Sequence, residues 1–307
     1  MIKFFYIWTL MSLTSFTAHA SLSSIDLAHP FYLMPEGKFN IQTTAGYFME
    51  EHEYERAKVV QDLFLYEHRF YKIATTVGLP HERQISIELE TQEGGKLTKK
   101  YSPGIKLPSE NVSYKGFHAI EITFQEHLKT NNEKDKLVFE LKLKGSPFHG
   151  KETNNTYSGK DIAINLLYSH LHNEEWRLYG SIHSQIIGKK KTLKYNNNLE
   201  IVSPYSEFGS MIGLQWLNGK WWLDINSLFY LTTDYNSSSP SYTRLTDKGF
   251  VVGSRFLLGY YLSPSTIFTI EHTRQGSNFN MITESTSEGN EFEIEVQYTQ
   301  LGVTWLF

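Results

Sequence analysis

The chain has 307 residues with 29 Lys and Arg against 33 Asp and Glu, a net charge of −4. It carries no basic field, so nucleic acid is excluded as a partner. There is no Cys, which removes disulfide frameworks, thiolate metal sites, Cys nucleophiles and a lipid anchor on Cys.

Residues 1–20 read as a secretion signal. Lys3 supplies a positive n-region, Phe4 to Leu13 an apolar h-region, and Ala18-His19-Ala20 a small-x-small cleavage site. The mature unit, 21–307, is then a single domain. No run of about 18 apolar residues follows, so no transmembrane helix is expected. Strands of a membrane barrel alternate apolar and polar residues and leave no such run.

Period-two alternation predicts twelve strands, near 38–50, 60–78, 83–93, 115–126, 136–147, 159–171, 175–187, 207–217, 220–232, 248–262, 265–275 and 290–307, with ten or fourteen as alternatives. The stretch 60–78 is longer than one span needs. A polar segment, 94–114, separates the third strand from the fourth. Ile162, Ile164, Leu166 and Tyr168 alternate with Ala163, Asn165, Leu167 and Ser169, and a turn near Asn173 leads into Trp176, Leu178 and Ile182. Ile212, Leu214 and Trp216 share a face with Trp221, Leu223 and Ile225 across Asn218-Gly219, read as a two-residue hairpin turn that pairs Trp216 with Trp221. Phe250, Val252, Phe256, Leu258 and Tyr260 follow, then Ser263-Pro264-Ser265, then Phe268 and Ile270.

Between these hairpins lie the long polar segments Lys189 to Tyr205, Thr233 to Lys248 and Gln275 to Asn290. Short turns alternating with long loops predict an all-β, antiparallel, up-and-down transmembrane barrel of the bacterial outer membrane. Aromatic residues are 15% of the chain, and interfacial girdles explain the excess. Trp216, Trp221 and Trp305 suit the periplasmic girdle.

The chain ends with Leu301, Val303, Trp305 and Phe307, alternating with Gly302, Thr304 and Leu306. This resembles the terminal signal that the barrel assembly machinery reads, and that machinery is an expected partner. Phe292, Ile294, Val296 and Tyr298 are apolar on the opposite parity. A bulge near Thr299-Gln300 would reconcile the two sets.

The expected lumen lining is Asn165, Arg177, His183, Gln215, Asp224, Asn226, Arg255, Glu271, Glu293 and Glu295, with a modest preference for cations from the last strand. No cofactor or metal is expected. His170 and His172 form a pair without a third ligand. His272 and Ser277 suggest a hydrolase, but their spacing of five does not secure the hydrogen bond that a nucleophile and its base require. Lys189-Lys190-Lys191 is a basic run that suits lipopolysaccharide phosphates or simply a solvated loop.

The stretch Asp62 to Pro80, DLFLYEHRFYKIATTVGLP, resembles a strand closing on Leu-Pro in the meta-pathway phenol-degradation barrels of the outer membrane. Gly159-Lys160-Asp161 before IAINLLYSHL is similar to their Gly-x-Asp strand opening, although without its fuller glycine-rich form. The resemblance implies a barrel that passes a small molecule, surrounded by outer-membrane lipid and lipopolysaccharide. It implies no catalytic residues. The functional expectation is a passive channel or small-molecule transporter. The alternatives are a closed structural or surface-interaction barrel and, behind both, a lipid hydrolase.

Overall fold

The computed structural model describes residues 31–56, 59–101, 105–106, 110–145, 160–193, 199–239, 242–283 and 286–307. The signal-peptide expectation falls on 1–20, outside these residues, as does Gly159 of the Gly-x-Asp motif.

The described strands are β1 (Phe39–Arg56), β2 (Val59–Leu79), β3 (Arg83–Tyr101), β4 (Ile105–Lys106), β5 (Glu110–Leu128), β6 (Asp135–Gly145), β7 (Lys160–Leu171), β8 (Trp176–Ile187), β9 (Lys190–Leu193), β10 (Leu199–Val202), β11 (Tyr205–Asn218), β12 (Trp221–Thr232), β13 (Tyr235–Ser239), β14 (Tyr242–Thr246), β15 (Phe250–Ser263), β16 (Thr266–Thr283) and β17 (Thr286–Leu306). Twelve of them form the wall, in the ring order β1, β2, β3, β5, β6, β7, β8, β11, β12, β15, β16 and β17. Every pairing is antiparallel, and β17 returns to β1 from Leu306↔Asn40 to Glu291↔Glu55, so the sheet has no free edge at this seam. The expected up-and-down barrel of twelve strands is therefore the observed one.

Alternation decides which way each wall faces. Along β7 the exposed Ile162, Ile164, Leu166 and Tyr168 alternate with the buried Asp161, Ala163, Leu167 and Ser169. Ile182 is 61% exposed and Leu231 64%. A continuous apolar band of such residues faces outward over the whole wall, which is unfavourable in water and favourable in lipid.

The staves differ in height. β16, β17, β1, β2, β3 and β5 have 18 to 21 residues, whereas β6, β7, β8, β11, β12 and β15 have 11 to 14. About 9–11 residues cross a bilayer, so one side of the barrel rises well above it. Segments read from the sequence as loops are strands on that side. β3 continues to Tyr101 and β16 to Thr283, because backbone pairing persists where the outer face has turned polar. Gly94, with φ of +65°, is passed over between His68↔Gly95 and Arg69↔Glu93, forming a bulge in the tall wall. On the low side the long segments between staves form hairpins β9–β10 and β13–β14, and β10 pairs with β13.

Two register expectations are corrected. At the β11–β12 turn Asn218 pairs with Trp221 and Trp216 with Leu223, so the central residues are Gly219 and Lys220. Only Gly219 has a positive φ, +58°, the pattern of a turn whose first central residue alone is left-handed. The slip is by two residues across the pair, so the facing of every side chain is unchanged. On β17 the pairing with both neighbours runs without interruption through Thr299-Gln300. There is no bulge there. The parity of apolar residues changes because the surroundings change: Leu301, Val303 and Trp305 face lipid, and higher up the same outer face reaches water.

Candidate functional site

The lumen is built by the inward row of each stave, and the register fixes its membership. Arg177 and Gln215 are cross-strand partners, as are Gln215 and Asp224, Asn226 and Arg255, and Asn165 and His183. Arg177, Gln215, Asp224, Asn226 and Glu271 are each at most 7% exposed. Eight of the ten expected lining residues therefore project inward: Asn165, Arg177, His183, Gln215, Asp224, Asn226, Arg255 and Glu271. Glu293 and Glu295 do not. They pair with Asn278 and Gly276, whose row is the outer one, and Glu295 accepts a hydrogen bond from Arg274 at 2.9 Å. That hydrogen bond, above the lipid band, holds the Glu295 carboxyl below the usual carboxylate range. The inward residues here are Ile294, Val296 and Tyr298, so the cation preference expected from this strand's carboxylates has no basis inside the lumen.

Two polar networks cross the interior. Arg177 donates from Nη1 to Gln215 Oε1 at 2.5 Å, Tyr179 donates to Asp224, and Asn226 donates to the Tyr179 hydroxyl at 3.0 Å. Arg255 donates to Glu271 at 2.9 Å. Asp224 and Arg255 take different hydrogen-bond partners. Across the barrel Lys72 lies 3.0 Å from Glu88 and 3.5 Å from Glu90, and Lys142 lies 3.3 Å from Glu140 and 3.9 Å from Glu121. Arg177, Asp224, Arg255, Lys72 and Lys142 thus each have an opposite charge or an amide beside them, as low-dielectric surroundings demand. This second ladder was missed in the sequence. Glu88 and Glu90 alternating with Ile87 and Leu89 was the available signal.

The end of the lumen at the short turns is entered by a segment that no stave supplies. Residues 31–38, just before β1, turn back into the barrel as a strap. Phe31 and Met34 are 6% and 2% exposed. Phe31 meets the Tyr179 ring edge-on at 5.5 Å and packs with Val138 and Leu167. Tyr32 packs on Leu217, Trp222, Tyr261 and Ile267. Gln84 holds the strap backbone: its Oε1 accepts from Met34 N at 2.7 Å and its Nε2 donates to Tyr32 O at 3.3 Å. Gly78 makes room. A Cβ there would sit 1.9 Å from Pro35 O and 2.4 Å from Met34 O. The apolar run Phe31-Tyr32-Leu33-Met34, ahead of β1 and outside any strand, was the sequence trace of this element.

Toward the end opposite the short turns the lumen widens into a vestibule of about 310 Å³, lined by Glu50, Tyr205, Glu207, Thr232, Tyr235, Val251, Gln275, Ser277, Ile294 and Val296 and bordered by Gly276.

The remaining candidates do not assemble. His272 faces outward with Nδ1 at 2.9 Å from Thr299 Oγ1, whereas Ser277 faces inward and donates to Ile294 O at 3.2 Å. They lie on opposite faces of β16. His170 is bonded to Asp135 at 2.7 Å at the rim of the short turns, and among the described residues no group of three metal-ligating side chains includes it. The backbone of Lys190 and Lys191 belongs to β9, paired with Val202 and Ile201. Leu301, Val303, Trp305 and Phe307 form one outward row, and the Phe307 ring stacks on Phe39 at 4.9 Å.

A family model of a domain without assigned function matches residues 107–194. No curated protein matches the sequence. Among solved structures, an outer membrane channel from Pseudomonas putida F1 is similar at a TM-score of 0.56 and 11% identity, covering 91% of this chain and 99% of its own. The NanC porin is similar at 0.46 and 10%, covering 86% and 98%. The outer membrane protease OmpT from Escherichia coli is similar at 0.40 and 10%, covering 90% and 98%. Only the first likeness is near enough to bear on architecture, and what it shows is the fold: the closed barrel of an outer-membrane protein.

Proposed function

We propose that the chain is an outer-membrane channel that passes a small solute passively, and that the strap closes its periplasmic mouth at rest. The observation that carries this reading is the nature of the obstruction. The lumen is lined by charged and amide side chains and opens outward as a vestibule. Its lower half is stopped in part by a separate segment clipped through Gln84 rather than by the wall alone. Such a stop can shift while the barrel stays closed. On this reading lipid and lipopolysaccharide surround the apolar band, and the assembly machinery reads the row ending at Phe307.

Single-channel recording in planar bilayers tests it. Wild-type protein is expected to conduct in brief or small steps, and Gln84→Ala, which removes both clips, to conduct more. Silence of both proteins at saturating insertion overturns the channel.

One observation favours a closed structural barrel instead: Tyr179, Asp224 and Asn226 form a buried cluster across β8 and β12. If that cluster seals the lumen permanently, Asp224→Ala strands its partners and lowers stability by about 1–3 kcal/mol, with no conductance to change. In a wet channel the same variant alters ion preference.

A further inference from the structure

We propose that His127 is an acid-sensitive catch on the strap: protonation of its imidazole loosens the seat of Phe31 and opens the barrel at mildly acid pH. The proposal deepens the channel reading, on which it rests for the current but not for the movement of the strap.

His127 lies near the end of β5, on the inward row, between the two anchors of the strap. On one side is Gln125, the inward residue before it. Gln125 accepts a hydrogen bond from Gln84, the side chain that clips Met34 and Tyr32. On the other side its register partner is Val138, which is 0% exposed and packs on Phe31. The ring itself is held from the rim of the short turns. Nδ1 is bonded to the Glu82 carboxylate, and His127 N donates to Glu82 O at 3.0 Å. The turn that presents Glu82 gives His81 and Glu82 φ of +64° and +53°, a left-handed backbone that residues other than Gly seldom adopt. Nε2 is buried and has no hydrogen-bond partner among the described residues.

Charge decides the response. In the neutral ring, with Nδ1–H donated to Glu82, Nε2 is a bare lone pair. In the protonated ring Nε2 carries the N–H of a cation, buried without an acceptor beside an apolar seat, and that is the costlier state. The ion pair gained with Glu82 returns little, because the Glu82 side chain is 70% exposed and that of His127 21%. The surrounding charges do not reverse this. Across β6 the inward neighbours of Val138 are Lys136, a like charge, and Glu140, which is engaged by Gln125, Asn165 and Lys142. Arg83 and Glu126 bond each other. His81 on the turn, and Lys129, Glu133 and Lys134 after β5, are exposed to solvent. The strap brings no charged side chain between Phe31 and Met34. A released state, in which water reaches Nε2, therefore binds the proton more readily than the seated state. Acid shifts the population toward release, in the range of about pH 5 to 8 where an imidazole changes charge.

The test uses the full mature chain at about pH 7.5 and about pH 5.5. In planar bilayers, acidification on both sides should raise the open fraction of wild type about tenfold, what one unsatisfied buried group is worth. His127→Gln should show no such rise. Movement of the strap is read apart from current, by a nitroxide on Glu36→Cys, an exposed strap position. The label should gain mobility in acid, and should not when His127→Gln is added. Glu82→Gln removes the carboxylate that favours the cation, so its transition should lie at lower pH. A strap label indifferent to pH overturns the proposal, as does an acid response that His127→Gln retains. If His127→Gln does not fold, Glu82→Gln decides: a transition at the wild-type pH overturns the catch. The two readings fail separately. A barrel that conducts equally at both pH values removes the catch and leaves the channel, whereas a strap that loosens through His127 in a barrel that never conducts keeps the catch on the strap and removes the channel.

Discussion

At the scale of single residues, glycines mark where something else occupies the place of a side chain. A Cβ at Gly259 would lie 2.0 Å from Cζ2 of Trp222, whose ring crosses β15 inside the lumen with only 5% exposure. Gly259→Val therefore forces the indole out of its cluster with Leu217, Tyr261 and Ile267. We expect a loss of about 1–3 kcal/mol, read as a lower urea midpoint in detergent, with Gly94→Val far milder in packing because a Cβ at Gly94 meets nothing within 4 Å. The facing of Trp222 was legible, since it alternates with Trp221 and Leu223. Its contact with Gly259 was not, because alternation gives the side of a strand and says nothing of which neighbour a long ring reaches. Glu293 and Glu295 failed for a related reason. A polar residue on a membrane stave was read as inward, yet that inference holds only within the lipid band. β17 has 21 residues, about twice what a span needs, and above the band the same outer face is wet.

At the scale of elements, the strap and the last strand make opposite demands on the rim of the short turns. The strap enters beside Gly78, where Gly78 N donates to Lys38 O at 2.9 Å and Gly37 N to Gly78 O at 3.2 Å. Gly78→Ala places a Cβ against the strap's own backbone, which has no rotamer by which to yield. The wall is continuous without the strap, so this variant should insert normally and show longer or larger open steps than wild type; unchanged recordings would mean that the strap does not limit passage. The seam is different. Phe307 N donates to Phe39 O at 2.9 Å, and the two rings stack. Deleting Phe307 removes both the last rung between β17 and β1 and the outermost residue of the terminal row, so insertion should fall and the chain should be degraded before reaching the membrane. The twelve staves were readable because each lipid-crossing stretch repeats with a period of two. The strap was not, because a short apolar run without periodicity matches no element template, and only the closed barrel gives it a surface to cover.

At the scale of the whole molecule, the closed ring sets both its resistance and its orientation. Closure leaves no edge among the wall strands through which unfolding can begin, so unboiled protein should run differently from boiled protein on a gel and show a β-type circular dichroism spectrum. Orientation follows from where the chain can be long. The turns at 80–82, 172–175, 219–220 and 264–265 are short, and with the strap and the Phe39–Phe307 end of the seam they lie on one rim; the extensions β9–β10 and β13–β14 rise from the other. Long extracellular segments and short periplasmic turns are the rule for such barrels. The absence of Cys from the sequence lets a single introduced thiol report its side without interference. Ser238, on β13 of the far rim, replaced by Cys should react with a membrane-impermeant maleimide on intact cells. Asn218, beside the Gly219 turn, replaced by Cys should react only after the outer membrane is opened. The opposite pattern would turn the barrel over: the vestibule between Glu50 and Glu207 would face the periplasm, the strap would guard the outside, and any solute would meet the carboxylates last rather than first.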